Sequence, residues 1–150
     1  MTLTQKELSL IKDLKDQEQL CIDKYTKHSA VATDPQLKNL FTQLAQHESN
    51  HLNGLCQLES GTVPQTQNGT NQQMPTFSNY HKAETPEKKE DCYLCTDLLT
   101  TEKHASHLYD TCIFEFKDAG VRKMLASIQE EEQQHGKSIY DYMSTNNMYS

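Results

Sequence analysis

Residues 44–51 read Leu-Ala-Gln-His-Glu-Ser-Asn-His, and residues 128–135 read Ile-Gln-Glu-Glu-Glu-Gln-Gln-His. In each, a Glu and the His three positions later (Glu48 and His51, Glu132 and His135) sit inside a run of apolar residues at helical spacing. The flanking apolar positions are Leu44 and Leu55 in the first run, Ile128 and Ile139 in the second. Residues three and four apart share one face of a helix, so both pairs point where the apolar stripe points. Two further stripes are interrupted in the same way: Glu18 stands between Leu14 and Cys21, and Glu102 between Leu98 and Ala105.

Around these interruptions the apolar period predicts four helices. The first runs from about Thr4 to Ala32, with Leu8, Ile11, Leu14, Cys21 and Tyr25 on its stripe. Asp34-Pro35 ends it and starts the second, as an N-cap followed by proline at the first helical position. Leu37, Leu40, Leu44, Leu55 and Leu58 form that stripe, which frays near Gly61. Asp91 is the expected cap of the third helix, with Cys95, Leu98, Ala105, Tyr109, Cys112 and Phe116 facing inward. Asp118-Ala-Gly120 makes a second tight turn, and the fourth helix presents Val121, Met124, Ile128, Ile139 and Met143 as far as about Ser144. Between residues 60 and 90, three of the chain's four prolines and few apolar residues mark a linker. The expectation is one all-α domain over residues 1–150: a helical hairpin over 4–59, a crossover linker over 60–90 and a second hairpin over 91–144.

The two hairpins repeat one another. Glu48 and Glu132 lie 84 residues apart, and so do Asp13 and Asp97, Leu14 and Leu98, Glu18 and Glu102, Tyr25 and Tyr109, Asp34 and Asp118, and His51 and His135. Glu18 and Glu48 lie at similar distances before and after Asp34, roughly 21–24 Å along their helices, and Glu102 and Glu132 repeat this about Asp118. All six ionisable residues therefore fall at one height in a bundle. Four buried carboxylates without basic partners on their stripes require compensation. Two divalent cations would supply it, with the histidines binding as neutral imidazoles. A linker of this length spans roughly 100 Å when extended, more than the length of a helix.

A Glu from each of two helices and a Glu-x-x-His from each of the other two resembles the ferritin-like di-iron and di-manganese proteins, whose hairpins are joined by one long crossover. The resemblance covers nearly the whole chain outside the linker. It implies Glu18 and Glu102 as terminal ligands, Glu48 and Glu132 as bridges, and His51 and His135 as one nitrogen ligand for each of two iron or manganese ions. The alternative is a degenerate site kept by descent. Tyr25 and Tyr109 stand two turns beyond Glu18 and Glu102, where a hydroxyl could bond a ligand carboxylate, as similar tyrosines do in rubrerythrin-like proteins; simple core filling is the other reading.

The second hairpin also resembles the coat F family of endospore-forming bacteria. The features that carry this are Asp97-Leu98-Leu99, Glu102-Lys103, Tyr109, Val121-Arg122, the Ile128-Gln-x-Glu-Glu segment and Asn147-Met148-Tyr149. The first hairpin resembles a related clostridial arrangement in which a degenerate copy precedes the coat domain. The resemblance implies a protein made in the cytoplasm of the sporulating mother cell and placed in the spore coat, with other coat proteins as partners and a homo-oligomer as a further expectation. It implies no reaction, and this chain departs from the family in holding all six ligand positions. Two functions follow as expectations: a coat-associated di-metal protein acting on peroxide or oxygen, or a structural coat component with an empty site.

Composition narrows the classes. Among 150 residues, 14 Lys+Arg oppose 21 Asp+Glu for a formal charge of -7, which argues against nucleic acid or an anionic membrane as partner. No apolar run reaches the roughly 18 residues of a membrane span, and no signal-peptide core opens the chain. Five cysteines do not suggest a disulfide framework, and Cys92-x-x-Cys95, lacking a second such pair, reads as inert thiols at a helix start. His28, His47, His81, His104 and His107 are expected at the surface or bundle edge, with His47 the one nearest the metal stripe. Glu130 and Glu131 are expected to be solvated.

Overall fold

A computed structural model describes residues 1–65 and 74–149. The described residues form four helices: α1 (Gln5–Val31), α2 (Pro35–Glu59), α3 (Pro86–Ile113) and α4 (Ala119–Thr145). Each begins at a side-chain cap that satisfies an otherwise orphaned backbone N–H. Thr4 forms a capping box with Glu7, Asp34 accepts from the Gln36 amide with Pro35 behind it, and Asp118 accepts from the Val121 amide. The third cap differs from expectation: α3 starts at Thr85-Pro86, not at Asp91. Thr followed by Pro at the first helical position is the stronger start signal, and Asp91 is committed elsewhere. It is buried one turn and more into α3, where its carboxylate accepts the Thr33 and Asp34 amides at 2.8 and 3.1 Å and meets His81 Nε2 at 2.7 Å.

α1 packs on α2 and α3 on α4 as two antiparallel hairpins, and the hairpins meet through α1 against α3 and α2 against α4. Cross-hairpin bonds give the directions. Tyr25 reaches Glu102 and Tyr109 reaches Glu18, so α1 and α3 run antiparallel. α2 and α3 are therefore parallel, and the connection between them travels the length of the bundle.

Part of that connection is fastened down. Phe77 packs on the core edge-on to Tyr142, with ring centroids 5.3 Å apart. The amides of Tyr80 and His81 both donate to Asn146 Oδ1 at 3.0 Å. His81, expected at the surface, is buried against Asp91, because the linker folds back over the α1–α2 turn. Tyr80 is exposed.

The stripes pack as their spacing requires, apart from Leu8, which is half-buried. They form two apolar clusters rather than one. Tyr25, Phe41, Leu44, Leu98, Ile139 and Tyr142 belong to the cluster at the α1–α2 turn. Ile11, Leu14, Leu55, Tyr109, Leu125 and Ile128 belong to that at the α3–α4 turn. Fully burying each such side chain contributes about 2 kcal/mol. The ionisable residues fill the layer between the clusters, so the apolar ends hold a charged middle in place. No described helix is long and apolar enough to cross a membrane.

Candidate metal centre

All six residues singled out by the interrupted stripes are buried and meet in that middle layer. Ligand atoms of Glu18, Glu48, His51 and Glu132 lie within 4.8 Å of one another, and so do those of Glu48, Glu102, Glu132 and His135. Glu48 and Glu132 belong to both groups. Glu18 with His51, and Glu102 with His135, each belong to one. His51 Nδ1 stands 3.0 Å from Glu132 Oε1 and 3.7 Å from both Glu18 Oε2 and Glu48 Oε2. His135 Nδ1 stands 2.8 Å from Glu48 Oε1, 3.3 Å from Glu102 Oε1 and 3.7 Å from Glu132 Oε2.

Buried polar atoms are almost always hydrogen-bonded, yet five carboxylate oxygens here are not: Glu18 Oε2, both oxygens of Glu48, Glu102 Oε2 and Glu132 Oε2. The close approach of His135 to Glu48 Oε1 is a charge contact without hydrogen-bond alignment. Orphaned, converging carboxylate oxygens beside two imidazoles are a donor set suited to iron, manganese or zinc as divalent ions. The residues present therefore fit the cofactor that the spacing suggests, and the cluster could hold a metal ion.

Without metal, burial and mutual contacts push the groups of the cluster in opposite directions. Burial, followed by the neighbouring Glu48, holds Glu18 well above the ordinary carboxylate range, and burial with the charge of Glu132 pushes Glu102 to about 8. Burial and the charge of Glu102 act against ionised Glu48, but contacts with Glu18, His135 and His51 outweigh them and bring it to about 2. Glu132 is lowered in the same way, its contacts with Glu102, His135 and His51 prevailing over burial. Both imidazoles lie well above their ordinary value: burial opposes the charged ring, and the surrounding carboxylates, Glu131 and Glu132 at His51 and Glu102 at His135, prevail. Glu18 and Glu102 are thus shifted toward the protonated form, and Glu48, Glu132 and both imidazoles toward the charged form.

The tyrosines bond across the hairpins rather than to the Glu of their own helix. Tyr109 donates to Glu18 Oε1 at 2.5 Å, and Tyr25 donates to Glu102 Oε1. Both hydroxyls are kept protonated by burial and by those carboxylates.

Two residues outside the six complete the surroundings. The outer nitrogen of His51, Nε2, meets Glu131, and that of His135 lies 3.3 Å from His47 Nδ1. Glu131 is therefore engaged, contrary to the expectation that it is solvated, because its position on α4 lets it reach over His51; Glu130 is exposed as expected. His47 and Glu131 occupy equivalent places in the 84-residue repeat, a signal in the sequence that would have singled out Glu131. All five cysteines are free; burial, followed by the charges of Glu48, Glu102, Glu18 and Glu132, holds the Cys21 thiol well above the ordinary range, and burial does the same at Cys95.

Residues 90–150 match the sequence profile of the Coat F domain. The second hairpin is similar to the Coat F domain. Glu102, Glu132 and His135 lie inside the matched segment, whereas Glu18, Glu48 and His51 lie before it. The segment similar to the Coat F domain thus supplies half the buried cluster, and the other half comes from the hairpin that precedes it. No curated protein and no solved structure gives a significant match to the chain.

Proposed function

We propose that this is a spore coat-associated, ferritin-like protein whose bundle holds two divalent ions, iron or manganese. Glu18 and His51 would hold one ion, Glu102 and His135 the other, and Glu48 and Glu132, which belong to both groups, would be shared between them. The observation that carries this reading is the convergence of five unpartnered carboxylate oxygens in two groups that share Glu48 and Glu132. The crossover between parallel α2 and α3 supports the ferritin-like assignment. The Coat F domain supports placement in the spore coat, with other coat proteins as partners.

When bound, two adjacent redox-active ions would supply the electron-transfer chemistry that an O–O bond requires, so peroxide and dioxygen are the proposed reactants. The chain's own groups set the conditions for this. The Tyr25 and Tyr109 hydroxyls orient Glu102 and Glu18, Glu131 and His47 orient the imidazoles, and the apolar clusters at both ends keep the charged layer dry. The test is elemental analysis of protein reconstituted anaerobically with iron and with manganese, followed by assays of peroxide and oxygen consumption. About two ions per chain, lost in Glu132→Ala, is the expected result; no binding of either metal overturns the proposal. The second reading, a structural coat component without metal, is favoured by the contacts of His51 with Glu132 and of His135 with Glu102 within the cluster, and that second outcome would support it.

A further inference from the structure

The 84-residue repeat makes the two half-sites copies of one another, so the places where it breaks decide whether two bound ions are equivalent. It holds at Glu18 and Glu102, Glu48 and Glu132, His51 and His135, and Tyr25 and Tyr109. It breaks in charge directly behind the imidazoles, where the second hairpin carries Glu131 and the first carries His47. Because α2 and α4 run antiparallel, each of these residues reaches the imidazole of the other hairpin: Glu131 meets His51 Nε2, and His47 Nδ1 lies 3.3 Å from His135 Nε2. Both imidazoles turn Nδ1 toward the buried carboxylates. The outer nitrogen of one therefore faces a carboxylate, and that of the other faces a second imidazole. At the same level on α1 and α3 the buried differences, Gln17 against Thr101 and Cys21 against Ala105, carry no charge.

We infer that the two metal positions are unequal: the one formed by Glu18 and His51 takes a trivalent ion in preference to a divalent one, and the one formed by Glu102 and His135 keeps the divalent ion. A carboxylate behind a ligating imidazole strengthens it as a donor and fixes its orientation. It also places a unit of negative charge on that ion's own side. Attraction to this charge grows with the charge of the ion, and the buried imidazole between them admits little screening water. His47 brings no negative charge to the other position. Lys103 acts in the same direction, since it lines the surface groove beside Glu102 where the equivalent first-hairpin residue is the neutral Gln19; its exposure makes it the smaller effect. Glu48 and Glu132 belong to both groups and favour neither. The inference rests on the proposed di-metal reading and deepens it, by naming the ion that each half-site selects and the residue that makes the selection.

The experiment is anomalous diffraction at the gallium and zinc absorption edges, from crystals of the full chain loaded with equimolar gallium(III), supplied as its citrate, and zinc(II). In the wild type, the gallium signal among Glu18, Glu48, His51 and Glu132 exceeds that at the other position at least about tenfold, the lower end of what a partner behind a ligand contributes, and zinc shows the reverse. Exchanging the two residues, His47→Glu with Glu131→His, reverses the assignment. Should the double variant fail to fold, Glu131→Gln makes the test: it keeps a hydrogen-bonding partner on His51 without the charge, and it evens out the two gallium signals. A merely structural role for Glu131 would lower the occupancy of both ions without moving either, and that result overturns the inference. Gallium spread evenly in the wild type, or an assignment that the exchange leaves unchanged, also overturns it. All three results leave the di-metal reading standing, whereas absence of both ions from the layer overturns the reading and the inference together.

Discussion

Tyr109 on α3 donates its hydroxyl to Glu18 on α1 at 2.5 Å, and Tyr25 on α1 makes the equivalent bond to Glu102 on α3. This reciprocal pair locks the antiparallel register of the two helices at the level of the charged layer, and it fixes one oxygen of each outer carboxylate. The second oxygen, Oε2, is left free toward the cluster in both. Tyr25→Phe and Tyr109→Phe should therefore behave alike. Each removes a donor from a buried carboxylate, at a cost of about 1–3 kcal/mol in the metal-free protein. Each should also weaken metal binding by about 10–100-fold, measured by competition with a chelator. Unchanged affinity in both variants would reduce the tyrosines to core fillers.

The groups behind the histidines should separate the two half-sites. Glu131→Ala removes the carboxylate on His51 Nε2, whereas His47→Ala removes a neutral or weakly basic partner from His135. Burial, with the charges of His135 and His51 next to it, lowers His47 below the ordinary imidazole range, so it does not replace the negative charge that Glu131 supplies. Calorimetric titration should show the larger loss in Glu131→Ala, confined to one of two binding events, with Glu130→Ala indistinguishable from wild type. Equal losses at positions 130 and 131 would mean that helix α4 is rotated from the orientation described.

Metal uptake should release protons. The ligands bind as carboxylates and neutral imidazoles, while the metal-free cluster keeps Glu18 and Glu102 raised and both histidines charged. Affinity should accordingly rise with pH and fall on acidification. Titration in two buffers of different ionisation enthalpy reads the proton count, and a count near zero would be incompatible with the ligand set.

Asp97 provides a pH dependence away from the cluster. Burial raises its carboxyl, but bonds from His28 Nε2 at 2.8 Å and Lys24 Nζ at 3.1 Å prevail and hold it below its ordinary value. A lowered folded-state value contributes stability that is complete above the unfolded value, near 3.9, and is lost as pH falls through the folded one. Asp97→Asn should thus narrow the difference in Tm between pH 7 and pH 3 relative to wild type. The same difference in both proteins would show that this ion pair adds nothing.

Asp91 should be worth more to the fold than its place in α3 suggests. It joins the Thr33 and Asp34 amides to His81 of the linker, next to Asp34 with its bond from Tyr142 at 2.7 Å. Asp91→Ala strands three polar partners, two of them buried, and should cost at least about 2 kcal/mol by denaturant unfolding. Tyr93→Ala, at a position 65% exposed, should stay within about 0.5 kcal/mol.

The four helices and the six central residues were legible because burial imposes a period, and an ionisable residue on an apolar stripe breaks it conspicuously. The 84-residue repeat then fixed which interruptions share a height. What lay outside that reasoning depends on contacts between hairpins. The sequence places the Tyr25 hydroxyl near a ligand carboxylate without saying which, and the antiparallel crossing of α1 and α3 makes it Glu102. Glu131 lies one step off the stripe and looks solvated until α2 brings His51 beneath it. Asp91 has the chemistry of a cap, and only the return of the linker shows its carboxylate already used. Phe77 and His81 follow the same pattern, since a stretch poor in apolar residues gave no period from which to predict burial.

The most direct measurement of the central claim is anomalous diffraction from crystals of manganese- or iron-loaded protein. The account predicts two peaks about 3.5–4 Å apart, one among Glu18, Glu48, His51 and Glu132 and the other among Glu48, Glu102, Glu132 and His135. A fully loaded crystal with no peak in this layer, or with peaks only at surface carboxylates, would contradict it.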